Sequence, residues 1–558
     1  MRQTVIDGQT ETQSRPDEPP PFAKDREFSG RTYTAALITL VLAAFAIRVC
    51  SGMTRVILHD EFYHYFAGLS FGQSGTFAIG NGEYVRAAPY TALTALSMLA
   101  FGDGLLALRL PAILSGTLLV AAVALWLQRS SRFAALAAAT LLAFDYFGIQ
   151  LSGFARFYTL HGLMVWLGAV GTYTLVTKKH SPARAAMLVM AVVSAFALAL
   201  ELQILTLICI AAMAAWAVLD RLLFVGKPIR IDSRKMAALL AVLLAILVIA
   251  LALSPLPQLL VSLYARFWNA APWSRQSQFN YLYYVQFMRS YGLLAYLFPL
   301  GLICAWFFDK RKALFLSVLF VVPLLIASVA PQKAERYVFS AFPFFLALWA
   351  LAAGWIFDIV RQQASRRDWP AWRAPLLTAI LALAVLGSAY NFRSNSGRIA
   401  TFVRSGDIVS PEKMKRSRNF DWGPWLPALR GAVSGYDKIV GVDDMRTLYF
   451  LGRLDLMLNR TIQWDLSHEE FARDTRTGVL MISEPNSIEL YISCTRSGVI
   501  IVPEGRWRDY SVISSTADAI EKVATRSRLP ADMPFRIYTW KATTMTRSAE
   551  CEKAPFRR

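Results

Sequence analysis

At 558 residues the chain is 55% hydrophobic and carries a formal charge of +20, with a mean hydropathy of +0.40. Its apolar residues fall in blocks of about 20, the length that crosses a ~30 Å hydrocarbon core, so a soluble globular fold is excluded and a polytopic α-helical membrane protein is expected. In a soluble protein this much basic charge would suggest nucleic acid, but here the Lys and Arg sit in short loops between apolar blocks, where they set topology; no nucleic-acid partner is expected.

Residues 1–32 are polar, contain Pro19-Pro20-Pro21 and lack a small-residue cleavage pattern, which predicts a disordered cytoplasmic tail before an uncleaved first span. Spans are predicted over 33–54, 104–127, 133–150, 158–177, 183–200, 204–223, 236–256, 291–308, 313–329, 338–360 and 374–391, about eleven in all. The weakest separation is the turn around Glu201 and Gln203. The loops on the N-terminal side hold most of the cations, among them Lys178, Lys179, Arg184, Lys310, Arg311 and Lys312. The positive-inside rule then puts the N-terminus inside, and an odd number of spans puts the C-terminus outside.

Between the first two spans, residues 55–103 are too polar to cross and too long for a turn, so interfacial helices are expected there, Pro89 to Phe101 being one. A second outer loop, 257–290, mixes Trp268, Trp273, Tyr281, Tyr283 and Tyr284 with Arg266, Arg275 and Arg289. That composition suits the headgroup layer as an aromatic belt, and substrate contact is the alternative.

From 392 to 558 the apolar runs shorten to strand length, at 438–442, 479–483, 499–503 and 535–540, with helical stretches at 487–493 and 517–526 between them. This order reads as a small extracytoplasmic α/β domain without a Gly-rich phosphate fingerprint, so dinucleotide binding is not expected. None of the five cysteines is spaced for a metal. Cys50, Cys209 and Cys304 lie in or beside spans, whereas Cys494 and Cys551 fall in the external part and are candidates for a disulfide.

The residues most open to chemistry are His59-Asp60-Glu61-Phe62-Tyr63-His64, just after the first span. Carboxylates at a membrane interface must be solvated, paired or used, because burying one alone is costly. A carboxylate at a cavity mouth can take a proton from an incoming hydroxyl. His64 lies one helical turn after Asp60, close enough to share a face and a hydrogen bond, whereas His59 does not join them. The two histidines are not at the four-residue spacing of a zinc helix motif. No cofactor is demanded; a divalent cation, Mg or Mn, held by Asp60, Glu61 and Asp145 is a candidate, and an acid stretch paired with Arg55 or Arg86 is the alternative. Glu83, Asp103 and Asp145 reach the same side, and Asp145, inside an apolar helix end, should face the protein interior, for chemistry or as a partner of Arg156. Arg156, Lys333 and Arg336 supply outer cations suited to a phosphate leaving group, or to lipid phosphates.

These residues together resemble the GT-C superfamily of polyprenyl-phosphate-sugar glycosyltransferases, particularly the group with protein O-mannosyltransferases and lipid A aminoarabinose transferases. The matching elements are Asp60-Glu61 with Tyr63, Phe101-Gly102-Asp103 leading to Leu108-Arg109-Leu110-Pro111, Ala155-Arg156-Phe157-Tyr158, and Arg336-Tyr337 followed by Pro343. The resemblance implies a GT-C-like membrane domain over 33–391. It also implies inverting transfer of a sugar from a polyprenyl-phosphate donor to a hydroxyl on an envelope glycan, glycolipid or protein, at the outer face of a bacterial cytoplasmic membrane. Asp60 would be the base, Glu61 and Asp145 would shape the site, Arg156, Lys333 and Arg336 would lie near the donor phosphate, and Tyr63, His64, Glu83 and Tyr158 would line the substrate cavity. Membrane lipid is the surrounding partner. A flippase or transporter of a lipid-linked saccharide and a non-catalytic envelope assembly protein are the competing readings; transporters usually place ionisable groups near mid-membrane in paired halves, and here the acids cluster at the outer ends.

Overall fold

A computed structural model of the chain describes residues 30–53, 55–225, 279–367, 421–458, 471–474, 476–482, 484–509, 512–530 and 533–541, with scattered positions over 373–389 and 551–556. The span expected over 236–256, most of that over 374–391, most of the tail, and Trp268 and Trp273 lie outside the described residues. Seven described helices are long and apolar enough to cross a membrane. They include α1 (Gly30–Met53), α4 (Leu105–Leu127), α7 (Tyr158–Thr177), α8 (Pro182–Leu202) and α9 (Thr206–Asp220). The turn at Glu201 and Gln203 is present: α8 ends at Leu202 and α9 begins at Thr206. Leucine, valine and methionine side chains such as Leu118, Leu125, Met187, Met190 and Val193 stay exposed on the helix surfaces, as expected of faces that meet lipid.

The span expected over 133–150 is not one rod. It breaks into α5 (Arg132–Phe144) and α6 (Tyr146–Ser152), which meet at 59°. A break inside an apolar layer strands carbonyls and amides that must be satisfied within the protein. The buried Arg48 of α1 donates to the Leu142 and Ala143 carbonyls, and the Asp145 carboxylate caps α6 by accepting from the Gly148 amide at 2.8 Å.

The interfacial segment holds α2 (His59–Ser74), a short hairpin of β1 (Ala78–Ile79) and β2 (Gly82–Glu83), and α3 (Ala88–Phe101). α3 buries Tyr90, Thr91, Thr94 and Met98 while exposing Leu93, Leu96, Leu99 and Phe101, the two-sidedness of a helix lying in an interface. The span expected over 291–308 is shorter than foreseen. After α10 (Tyr283–Met288) come α11 (Leu293–Tyr296) and α12 (Phe298–Phe308), interrupted where Gly292 takes φ +55°. Then follow α13 (Lys310–Val329), a 3₁₀ turn over Glu335–Ala341 and α14 (Phe342–Arg366).

Beyond 420 the described residues form a mixed seven-stranded sheet ordered β5-β6-β4-β3-β7-β9-β8. β3 (Lys438–Gly441), β4 (Leu456–Leu458), β6 (Leu480–Ile482) and β7 (Ser497–Pro503) run parallel at its centre. β5 (Ala472–Arg473), β8 (Thr525–Arg526) and β9 (Phe535–Lys541) are antiparallel edges and closures. β4, β5 and β8 are too short to have shown as apolar runs. The expected helix over 517–526 is α18 (Ser514–Val523), whose last expected residues belong to β8; α15 (Leu426–Val433), α16 (Asp444–Leu451) and α17 (Pro485–Ser493) complete the layers. Two apolar clusters, around Ile500 and around Ile501, fill the opposite faces of β7, as alternation along a buried strand requires. Cys494 and Cys551 are joined in a disulfide, their Cα atoms 5.4 Å apart.

Candidate active site

α2 is fixed from below by Glu61. The Glu61 carboxylate is fully buried and accepts both Nε and Nη2 of Arg109, each at 2.7 Å, together with the Leu58 amide at 2.9 Å and the Ala155 amide at 2.7 Å. Arg109 spends its remaining donors on the carbonyls of Gly52, Arg55 and Val56, which the end of α1 leaves open. One buried ion pair thus ties α1, α2, α4 and the loop before α7 to a common point, and its charges are affordable only because every oxygen and every N–H is paired.

The neighbouring Asp60 has the opposite environment. Its side chain is 36% exposed, and its carboxylate lies 3.8 Å from Nη2 of the buried Arg156. Arg156 also donates to the Asp60 carbonyl at 3.2 Å and to the Tyr84 hydroxyl at 3.1 Å, and its guanidinium lies against the rings of Phe157 and Tyr158. Burial on its own would push the Asp60 carboxyl up. Arg156 first, then His59, Arg336 and Arg86 outweigh it and hold the group ionised well below the usual carboxylate range. The charges of Arg336, on the 3₁₀ turn, and of Arg86, whose guanidinium lies over the Phe157 ring, add to the positive field on Asp60. Nε of Arg156 and Nε of Arg336 are buried donors with no hydrogen-bond acceptor among the described residues.

The other expected residues are distributed as follows. His64 does not pair with Asp60. It is fully buried, with Nδ1 2.8 Å from the Thr91 hydroxyl, because α3 packs on that face of α2. Burial, followed by the fields of Arg156 and Arg86, keeps its imidazole neutral well below the usual histidine range. Tyr63 is buried, stacked on Tyr84 at 5.0 Å, with the Arg476 guanidinium 4.7 Å over its ring. Tyr158 is buried beside Arg156, while Glu83 is exposed on β2. Lys333 donates to the Ala330 carbonyl at 2.7 Å and lies 5.8 Å from the centre of the Tyr281 ring. Tyr283 and Tyr284 brace that stretch through Glu335 and the Ala334 carbonyl, so these two members of the aromatic outer loop hold the turn that carries Arg336. Asp145 meets the Gly148 amide and the Tyr291 hydroxyl at 3.1 Å, with Arg48 close by, and not Arg156. The trio Asp60, Glu61 and Asp145 is accordingly not gathered around a cation: Glu61 is taken by Arg109, and Asp145 by the helix break.

Sequence reasoning missed that Arg109 is the partner of Glu61. The signal was present, since a lone arginine inside an apolar run needs a buried acceptor. It also missed His59, which it set aside on helical geometry alone. Its Nδ1 lies 3.3 Å from Asp443 of the C-terminal domain and its Nε2 lies 3.1 Å from the Tyr63 hydroxyl.

No protein-family model matches the chain, and no curated protein sequence does. The fold does have solved counterparts. ArnT from Cupriavidus metallidurans in the apo state superposes with a TM-score of 0.61 at 14% identity over 91% of this chain and 98% of that one. The same protein bound to undecaprenyl phosphate gives 0.59 at 12% identity, over 92% and 98%. The archaeal oligosaccharyltransferase AglB from Archaeoglobus fulgidus, in complex with an inhibitory peptide and a dolichol-phosphate, gives 0.50 at 14% identity over 85% and 69%. The chain shares the fold of these proteins, a helical membrane domain followed by a C-terminal sheet domain.

Proposed function

We propose that this chain is an inverting glycosyltransferase that moves a sugar from a polyprenyl-phosphate donor to an acceptor hydroxyl at the outer face of a bacterial cytoplasmic membrane, its N-terminus inside and its C-terminal domain outside. The carrying observation is the open carboxylate of Asp60 beside Arg156, within the positive field of Arg336, both arginines having a buried Nε donor without an acceptor among the described residues. Solved proteins of the same fold at low identity hold undecaprenyl phosphate or dolichol-phosphate, which supports an anionic isoprenoid ligand here.

In the reaction so read, the acceptor oxygen attacks the anomeric carbon from the face opposite the phosphate, and the bond from that carbon to the phosphate oxygen breaks. The acceptor proton passes to the Asp60 carboxylate, and the polyprenyl phosphate departs toward Arg156 and Arg336, which balance its charge. With the phosphate seated, those guanidiniums turn part of their field from Asp60 to the ligand, leaving a carboxylate oxygen freer to accept. Glu61 acts through position, holding α2 so that Asp60 stays at the mouth of the site. The acceptor is a hydroxyl on an envelope glycan, glycolipid or protein.

Asp60→Asn keeps size and removes the acceptor of the proton. Transfer from a polyprenyl-phosphate sugar, followed by product chromatography on the purified chain in lipid nanodiscs, is expected to fall by about 10²–10⁴-fold in the folded protein, with a lower melting temperature because Arg156 loses its charge partner. Full activity in a correctly folded Asp60→Asn protein would overturn the assignment.

A further inference from the structure

Outside the cluster around Asp60, one group of side chains joins the membrane domain to the sheet domain. His59 opens α2, and Asp443 and Asp444 open α16; one ring nitrogen and one carboxylate oxygen from each aspartate lie within 4.8 Å of one another. Asp443 is the N-cap of α16, and its Oδ2 is taken by Arg446 at 2.5 Å and Arg506 at 3.2 Å. Its Oδ1 caps the Arg446 amide and faces His59 Nδ1 at 3.3 Å. Asp444 is different. Its side chain is 1% exposed, and neither of its carboxylate oxygens accepts a hydrogen bond. The nearby Arg476 is itself closed on Asp474, at 2.6 Å.

A buried carboxylate with no donor costs several kcal/mol unless it is neutralised. His59 Nε2 lies 3.5 Å from Asp444 Oδ1, and its ring is 31% exposed where both aspartates are buried. Ligands about 2.0–2.2 Å from a tetrahedral ion sit roughly 3.3–3.6 Å apart, so the three ligand atoms, within 4.8 Å of one another, draw in around an ion, and a single ring nitrogen then faces both carboxylates where Nδ1 now faces Asp443 and Nε2 faces Asp444. An imidazole with two carboxylates suits zinc better than magnesium, which prefers an all-oxygen octahedral shell.

We propose that His59, Asp443 and Asp444 form a zinc site that clamps the interfacial helix α2 to the first turn of α16, with water completing the coordination from the exposed side of His59. The ring nitrogen not used for the ion keeps to a carboxylate or to the Tyr63 hydroxyl, which fixes the tautomer in the manner usual for metal-bound histidine. The site is distinct from Asp60, whose carboxylate faces Arg156. It stands or falls independently of the transferase reading, because occupancy is measured without turnover.

The test uses the full chain without an affinity tag, in detergent. After incubation with zinc chloride or with magnesium chloride and gel filtration, metal per chain is measured by plasma mass spectrometry, and melting is followed with and without EDTA. The wild type is expected to retain about one zinc and no magnesium, and to melt several degrees lower once stripped. Asp444→Asn and His59→Gln are each expected to lose that zinc and the EDTA effect. If Asp444→Asn does not accumulate, His59→Gln, on a partly exposed ring, carries the comparison. No zinc retained by the wild type, equal zinc in the wild type and a folded variant, or magnesium held as well as zinc would each overturn the proposal. In the first of these outcomes Asp444 is a neutral carboxyl, which its burial favours, or the partner of a charged His59.

Discussion

Asp60 and Glu61 are adjacent, chemically alike and placed in opposite circumstances, and the difference decides their roles. Asp60 leaves more than a third of its side chain open beside cations with donors to spare. Glu61 leaves nothing open: Arg109 and two backbone amides use both of its oxygens. Removing a buried partner strands the other charge, which typically costs about 3–5 kcal/mol. Glu61→Ala is therefore expected to lower thermal stability by roughly that amount, and to lose transfer with it as α2 loosens and Asp60 leaves its place. Pairing it with Arg109→Met should recover part of the loss, since no buried charge then remains. Thermal melts of the two single variants and the double variant measure this. A Glu61→Ala protein of wild-type stability without transfer would instead make Glu61 a direct participant in the chemistry.

Among the elements, the broken span shows where an apolar pattern stops being informative. Residues 133–150 read as one helix because hydropathy records what faces lipid, and a break repaired from inside leaves that face unaltered. The repair lies in Arg48 and Asp145, two charges inside apolar runs, and their presence was the legible part. Asp145 could be expected to face the interior; that it would cap α6, and not meet Arg156, depended on a 59° bend that no periodicity encodes. The same limit applies to α2. Its place after the first span, and the nearness of Asp60 to Arg156, were readable from spacing and side. Its rotation was not, so His64 was assigned to Asp60 although packing of α3 turns it to Thr91, and His59 was discounted although its partner lies 384 residues away. Asp145→Ala removes the α6 cap and the carboxylate oxygen that accepts from the Tyr291 hydroxyl, an expected loss of about 1–3 kcal/mol. Faster amide exchange over 146–150 in deuterium-exchange mass spectrometry, with transfer retained by the folded protein, would mark the residue as structural; unchanged exchange with transfer abolished would return it to the chemistry.

Across the whole molecule, apart from Arg48 and Asp145 at the helix break, the charged groups named here gather at the two ends of the bundle. Asp60, Arg156, Arg336 and the sheet domain share one end. At the loops joining the opposite ends of the helices, Arg311 pairs with Asp220, and Lys312 reaches Ser130 and Asp309. In the proposed reaction, that polarity would let a lipid-tailed donor keep its chain in the hydrocarbon while its phosphate meets the site. It also makes the seat of the sheet domain important, because that domain closes over α2. Besides the His59 cluster, the domain is seated by Arg446, which donates to the Ile57 carbonyl, by Phe62 against Tyr449 at 5.0 Å, and by the hairpin tip, where the Asn81 amide donates to the Thr477 carbonyl. The tip works because Gly82 has no side chain: a Cβ there would fall 2.6 Å from backbone atoms of Arg476, Thr477 and Gly478, closer than any relaxation of a flexible side chain could relieve. Gly82→Val is therefore expected to lift the hairpin off the 476–478 turn while the sheet itself, pinned by β7 and β9, stays folded. Limited proteolysis should then cut near 76–86 at a protease dose that leaves the wild type intact, and the KM for the donor should rise more than kcat falls, because the wall over α2 is loosened while Asp60 and Arg156 keep their mutual geometry. If Gly82→Val were as protease-resistant as the wild type, the close approach at the tip would not be what seats the domain, and the load would pass to the α2–α16 contact alone.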